Sequence, residues 1–388
     1  MSMSYDVAVI GGGAIGCAIA WRAAQAGLKV VVLEQSVLGA GATQAAAGML
    51  GAQSEMHKLT ALWPLCLESR SVYKEFAAEL MAETDIDIEL SETGTLRIAH
   101  TQATVQSLKA QATWQAASGG HSAWVDSSEL NGLEPTLAPS LGALWLPEDG
   151  NVSAPQLGKA LAAAARRHAT VREGVTVQSM ESKSAGVRLE TSAGPVLAEQ
   201  VVLATGAWAG RQLGVSQWSS AFGFGPVKGQ LFAIRARGQE VLRRTIVTDS
   251  VYLVPKRDGS IIVGATVEPD AGFDDRLTVR AVRELTSALA QVAPGLIDCE
   301  LERLWTGFRP GTTDQLPVIG RLPDDPRILL AVGHYRNGIL LTPITAKMIV
   351  HELLYDAKES SGQERPAHWL AFTPAKRRAG AQTAVIVQ

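Results

Sequence analysis

The chain predicts an α/β protein in two parts. One part is a parallel sheet flanked by helices, and the other is a second α+β domain built on an antiparallel sheet. Three observations carry that prediction. A short β-branched run, YDVAVI, leads into a glycine-rich turn, an Ala-rich helix and a second apolar strand. Buried-strand patterns return at 201–204 and 316–333. Between them, residues 227–235 and 251–267 alternate as antiparallel strands do.

Along the first part, residues 5–10 form the opening strand, GGGAIGCAIAWRAAQAG the turn and helix closed by Gly27, and LKVVVLE the next strand ending at Glu34. Short connections make this a β-α-β unit with parallel strands. Apolar residues at helical spacing, Leu62, Leu65, Val72, Phe76 and Leu80, predict one long helix over about 60–82. Between 84 and 150, pieces such as TGTLRIA and GALWLPEDG alternate with polar helical stretches. Pro155 fits the first turn of the helix PQLGKALAAAARRHA, after which VTVQSMES, VRLETS and EQVVLATGAWAG read as strands, the last running to Gly206. A turn around Asp258 and Gly259 joins two strands, a helix occupies about 278–292, and PITAKMIVHELLYD is the last core helix.

These segments predict a discontinuous nucleotide-binding domain of residues 1–85, 150–215 and 316–365. Residues 86–149 and 216–315 form the second domain, and 366–388 are expected as a tail. The stretch from Thr373 onward carries no packing pattern and is expected to be mobile in part.

Composition narrows the function. The 388 residues carry 35 Lys+Arg against 38 Asp+Glu, and no basic stripe announces a nucleic-acid partner. Cys17, Cys66 and Cys299 are far apart, which disfavours a disulfide framework or a zinc site. The first apolar run has no basic flank and is cut by three glycines, so no signal or membrane segment is expected, and the default location is the cytoplasm. HExxH, CxxC, P-loop and GxSxG patterns are missing from the sequence, leaving hydrolase and metalloenzyme readings without their parts.

The strongest motif is Gly11, Gly13 and Gly16 between strand and helix. Gly11 permits the tight turn, Gly13 makes room for a pyrophosphate, and Gly16 lets helix and strand approach. The helix N-terminus offers N–H groups to phosphate. Glu34, 23 residues after Gly11, ends the second strand, where a carboxylate accepts ribose hydroxyls. The small-residue run GAGATQAAAGML at 39–50 leaves room for a large flat ligand against backbone, or is simply an Ala-rich helix entry. Within it, Thr43 is placed to cap a helix or to touch phosphate.

In GFRPGTTDQLPVIG, Arg309 is either a fork for a substrate carboxylate or a junction salt bridge to Asp314. Arg336, in GHYRNGILLTP before the last helix, poses the same choice. Tyr252 is either half-buried packing or a partner of Arg309. His334 has the pKa of a base but no partner at motif spacing, so a hydrogen-bonding role is favoured. A shortage of acid-base candidates suits chemistry carried by a cofactor.

Together, YDVAVIGGGAIG, VVVLEQ, GATQAAAGMLGAQ, VVLATGAWAG, VKGQ, VYLVPKRDGSIIVGAT, GFRPGTTDQLPVIG and GHYRNGILLTP resemble the glycine oxidase (ThiO) branch of the D-amino-acid oxidase family of flavoproteins, over about residues 5–350. The resemblance implies a Rossmann-like, glutathione-reductase-like FAD domain. It implies FAD contacts from Ala14 and Ile15, from Glu34 and Gln35 at the ribose, from Ala42 and Thr43, and from Ala47, Gly48 and Met49 near the flavin. The Val177 backbone would meet the adenine, and His334, Tyr335, Arg336, Asn337, Gly338, Ile339 and Leu340 would pass the isoalloxazine.

Arg309, Tyr252, Arg336 and Met49 are expected to line the substrate pocket. Members with a covalent flavin carry its cysteine near the position of Phe308, so FAD is expected to be non-covalent. The implied reaction is oxidative deamination of glycine, small amines or D-amino acids. The implied products from glycine are glyoxylate, ammonia and hydrogen peroxide, and a homo-oligomer and a part in thiamine synthesis are also implied. A D-amino-acid or sarcosine-type oxidase, a quinone-linked dehydrogenase, and a flavin-containing structural or RNA-modification partner stand as alternatives.

Overall fold

The computed structural model describes residues 4–211, 216–235, 242–355 and 365–378. Strand β1 (Ser4–Ile10), helix α1 (Ala14–Gln25) and strand β2 (Val30–Leu33) form the opening unit. β1 pairs in parallel with β2 on one side and with Val196–Leu203 on the other. The sheet continues through Ile328–Val332 and Val318–Arg321 at one end and Thr170–Arg172 at the other. Gly186–Thr191 and Val177–Lys183 branch from Val196–Leu203 as an antiparallel pair.

Period-2 alternation divides this sheet between two cores. Val7, Val9, Val30 and Val32 face α1 and the helices Ala154–His168 and Thr342–Tyr355, whereas Ala8, Ile10, Val31 and Leu33 face the opposite cluster around Trp218 and Phe222. Burial on both faces is why these strands read as continuous apolar runs. α1 is built from small residues because it lies close to its neighbours: Ala14, Gly16, Cys17, Ala18, Ala20 and Ala23 are all buried.

A second sheet runs in the order Glu300–Gly311, Gly225–Arg235, Ser260–Gly264, Tyr252–Pro255, Thr245–Val247, Thr95–Ile98, Ala143–Leu146 and Ala123–Val125. All its pairings are antiparallel except Thr245–Val247 with Thr95–Ile98. One face buries Phe232, Ile234, Leu253, Ile261 and Val263 against Leu285, Leu289 and Val292 of the helix Val279–Val292. The other face packs Leu231, Val254 and Ile262 on Ala47, with Met49, Tyr252 and Trp305 beside them. The small-residue run at 42–49 therefore lies between the two sheets.

Two expectations are corrected. The single helix expected over 60–82 is two, Leu62–Ser71 and Tyr73–Thr84, meeting at Val72 with ψ near zero. Both halves are tied to one loop: Ser69 Oγ donates to Leu340 O at 2.6 Å and the Tyr73 hydroxyl donates to Ile339 O at 3.1 Å. The described part of the expected tail, 366–378, is packed. Trp369 and Phe372 are buried in the α1-side core, and Arg377 donates to Leu316 O at 2.9 Å and to Asp314 at 2.6 Å. Residues 379–388, where mobility is expected, lie outside the described residues.

Candidate active site

The site begins where β1 stops. Gly11 has φ +103°, and a Cβ there would lie 2.4 Å from Ala204 O, so only glycine makes this turn. α1 starts at Ala14 with Gly13 as its N-cap, which supplies no side-chain cap. A hydroxyl from elsewhere serves the first turn: Thr43 Oγ1 accepts from Ala14 N–H at 2.9 Å. Glu34 follows β2, and its two oxygens accept from Gly12 N–H and Ser36 N–H, both at 2.7 Å. Helix N-terminal N–H donors beside glycines, with a carboxylate acceptor at the next strand end, are the groups a dinucleotide requires.

The run 42–49 forms the floor and is held from the second sheet. Trp305 Nε1 donates to Ala45 O at 3.0 Å, and Lys256 Nζ donates to Ala47 O at 2.7 Å, Asn151 Oδ1 at 2.9 Å and Val152 O at 2.9 Å. Burial lowers the Lys256 pKa to about 7. Three oxygens nonetheless match the three protons of an ammonium, which favours the charged form. Gly48, at φ +82°, could not carry a side chain, since a Cβ would meet Val152 O at 2.0 Å.

The far wall carries the charges. Arg309, in the strand Glu300–Gly311, donates through Nη1 to Thr266 O at 3.1 Å and reaches Lys228 O at 3.5 Å. Gly229 on the paired strand makes room for it, because a Cβ there would lie 2.5 Å from Arg309 Nη1. Among the described residues no carboxylate is paired with Arg309; Asp314, its sequence-level alternative, is bound by Arg377. Half-buried Tyr252 lines the same cavity, and desolvation of its hydroxyl is the first cause of its raised pKa, against the opposing pull of Arg309 and Arg336, so it stays protonated. Arg336 Nε pairs with Glu55 Oε2 at 2.8 Å, and that carboxylate raises the Arg336 pKa.

The loop 333–340, before the last helix, lines the cavity through residues 334–339. Gly333 has φ +77° and Tyr335 φ +48°, and a 3-10 turn at Tyr335–Asn337 leads into the helix Thr342–Tyr355. His334 points inward, Nε2 lying 3.0 Å from Thr345 Oγ1, and burial lowers its pKa to about 3. It is therefore neutral at working pH and is no proton reservoir. An unfolded chain binds a proton at His334 near pH 6.5, so its contribution to stability is complete above that pH and is lost as pH falls towards 3. We expect urea midpoints to show wild-type stability falling by about 1.4 kcal/mol per pH unit more than that of His334→Gln across this window. Parallel curves would remove the assignment.

One cavity of ≈ 440 Å³ joins these features. Gly11, Gly13, Ala14, Ile15, Glu34, Gln35, Ala42, Thr43, Ala47, Gly48, Met49 and Val177 line it, as do 334–339, Tyr252 and Arg309. Two expected residues do not. Gly16 sits beneath the turn, where a Cβ would be 1.9 Å from Gly11 O, and its contribution is close packing alone. Leu340 is buried in the core, and its carbonyl is taken by Ser69. Glu55, Trp208, Lys256 and Trp305 were not picked out by sequence reasoning. The first two line the cavity and the others hold its floor. In VPKRDG the sequence signals a turn around Asp258 and Gly259 but nothing for Lys256, and Glu55 has no local signal.

The FAD dependent oxidoreductase (DAO) family model matches residues 6–352. Glycine oxidase of Geobacillus kaustophilus (strain HTA426) is 39% identical over 364 residues, 93% of this chain and 95% of that protein. A solved structure of glycine oxidase from Geobacillus kaustophilus superposes with a TM-score of 0.87 at 38% identity, covering 92% of this chain and 96% of that one. The bifunctional protein ThiO/ThiG of Nostoc sp. (strain PCC 7120 / SAG 25.82 / UTEX 2576) is 34% identical over 362 residues, 92% of this chain but 53% of that protein. The chain belongs to the DAO family of FAD-dependent oxidoreductases, as a homologue of the glycine oxidases.

Proposed function

We propose that this enzyme oxidises glycine, and with it small amines or D-amino acids, passing electrons through FAD to dioxygen. From glycine the products are glyoxylate, ammonia and hydrogen peroxide. The observation that carries this reading is Arg309: a guanidinium in the cavity wall, seated on backbone carbonyls in the cavity that Tyr252 also lines, with no described carboxylate paired to it. Such a fork takes a substrate carboxylate in two parallel bonds.

In this reading residues 1–85, 150–215 and 316–365 form the FAD domain, and 86–149 and 216–315 the substrate domain. The turn at Gly11, Gly13, Ala14 and Ile15 holds the pyrophosphate with Ala42 and Thr43. Glu34 and Gln35 serve the ribose, and Val177 the adenine. Ala47, Gly48, Met49 and 334–339 face the isoalloxazine. None of the three cysteines lines the cavity, and Phe308 occupies its wall, which supports a non-covalent cofactor.

When bound, FAD supplies the hydride acceptor. The chain's own part is to hold the carboxylate at Arg309 and Tyr252 so that the neighbouring carbon meets the flavin, and positioning of this kind supplies much of a rate gain. Tyr252 stays protonated and His334, its pKa lowered to about 3 by burial, is too weak a base, so the substrate enters as its free amine, with water taking the proton.

Kinship alone supports a cytoplasmic homo-oligomer and, through the ThiO/ThiG relative, delivery of the glycine-derived imine to thiazole assembly for thiamine. No helix of the described residues is long and apolar enough to cross a membrane. Anaerobic mixing with glycine, sarcosine and D-alanine tests the reading. Glycine should bleach the flavin, and admitted oxygen should restore it with release of peroxide. Bleaching by D-alanine or sarcosine alone would shift the assignment to those oxidases, and reoxidation by quinone but not oxygen would make it a dehydrogenase.

A further inference from the structure

Two arginines face this cavity, yet the structure leaves only one of them unneutralised. Arg309 rests on carbonyls, whereas Arg336 is paired with Glu55 at 2.8 Å. Both arginines and Glu55 lie close enough to act on the Tyr252 hydroxyl, so they share one electrostatic neighbourhood. Two cations and one carboxylate leave a single positive charge, which matches a substrate carrying a single carboxylate.

Glu55 is held where it is by an unusually firm turn. Asp149, fully buried, accepts from Ser54 N–H at 2.8 Å and from Gln53 N–H at 3.1 Å. Arg70 donates to Asp149 at 2.9 Å and to Gln53 Oε1 at 2.9 Å. Gln111 and Gln115 both donate to Gln53 O, at 3.1 and 3.0 Å. The Gln53 and Ser54 N–H groups and the Gln53 side chain are thus bonded to neighbouring elements, and Glu55 N–H itself donates to Gly51 O at 3.3 Å. Such a base fixes the backbone from which Glu55 reaches Arg336. Its side chain is 14% exposed against 33% for Arg336, so the pair is only lightly screened from the cavity.

We propose that Glu55 is a specificity-determining residue: by occupying Arg336 it reserves the pocket for amino acids with one carboxylate and excludes those with a second anionic group on the nitrogen. The exclusion has two parts, since Glu55 removes the cation that a second carboxylate would seek and repels that carboxylate directly. This rests on the function proposed above, because it concerns which substrate reaches the same site.

The test compares glycine with iminodiacetate, which is glycine carrying a second carboxymethyl arm on nitrogen. Its oxidation balances as for glycine: one N–CH2 carbon gives a hydride to FAD, the nitrogen gives a proton, and water splits the resulting imine into glyoxylate and glycine. Dioxygen takes the two electrons and two protons as peroxide.

For Glu55→Gln holoenzyme, the ratio of kcat/KM for iminodiacetate to that for glycine should rise at least tenfold over wild type. The double variant E55Q/R336M should lose that gain. An unchanged ratio, or a gain that survives R336M, overturns the proposal. Where E55Q does not retain FAD, Arg336→Gln, which strands Glu55, should lower the ratio at least tenfold; no change overturns the proposal equally. If wild-type enzyme fails to oxidise glycine, the proposed function falls by itself. Acetate and malonate, titrated against the flavin absorbance, then test Glu55 without turnover. E55Q should improve malonate binding relative to acetate by the same factor, and equal effects on both would sink the idea.

Discussion

Arg309→Lys should lower kcat/KM for glycine by about 100- to 1,000-fold, roughly 3 to 4 kcal/mol of transition-state stabilisation, while the protein still purifies yellow. The magnitude follows from what a lysine loses. It keeps the charge but replaces a planar fork by a point donor, so one of two charge-assisted hydrogen bonds goes and the orientation of the neighbouring carbon goes with it. The seat is also specific to the fork. Thr266 O and Lys228 O receive Nη1, and Gly229 leaves the space. None of these groups belongs to the glycine-rich turn, so FAD content, read from absorbance, should match wild type. Glycine turnover within a few-fold of wild type would remove Arg309 from the site.

The second large effect is expected from Gly16→Val, with loss of FAD and of stability together. A Cβ at this position would stand 1.9 Å from Gly11 O and 3.0 Å from Gly11 C, both backbone atoms. Gly11 cannot yield, because its φ of +103° and its own approach to Ala204 O fix it from the other side. The helix must therefore lift off the strand, moving the N–H groups at Ala14 away from the phosphate position. Overpacking of this sort costs about 3 kcal/mol or more. The variant should purify colourless, with a lowered melting temperature and FAD affinity down at least about 100-fold by titration, or about 2.7 kcal/mol. A yellow Gly16→Val of wild-type stability would show that helix and strand do not depend on this contact.

These two residues also mark what the sequence can and cannot disclose. Gly16 is legible in a single sequence because its constraint is local: strand, turn and helix lie within two dozen residues, and the spacing of glycines reports the approach. Close packing and ligand contact leave the same letter, so the spacing alone does not say which of the three glycines borders the cavity. Arg309 was legible as one of two alternatives, and the one set aside, a salt bridge to Asp314, gives way to Arg377. That arginine lies in a segment whose sequence shows no periodicity. Glu55 was invisible, since a lone acid in a loop is ordinarily solvated, and its meaning comes from Asp149 and Arg70, about 94 and 15 residues away in sequence. The break at Val72 was hidden for a similar reason. Periodicity runs through it undisturbed, and what divides the helix is its attachment to the carbonyls of residues 339 and 340.

The strand that ends in the phosphate turn has as its neighbours β2, some twenty residues on, and Val196–Leu203, which arrives only after the chain has laid down half its length. The cavity is completed later still, by Arg309 and the loop at 334–339. A chain that stops short of residue 309 therefore carries the fingerprint without the wall that faces it. Truncated products should circulate without colour.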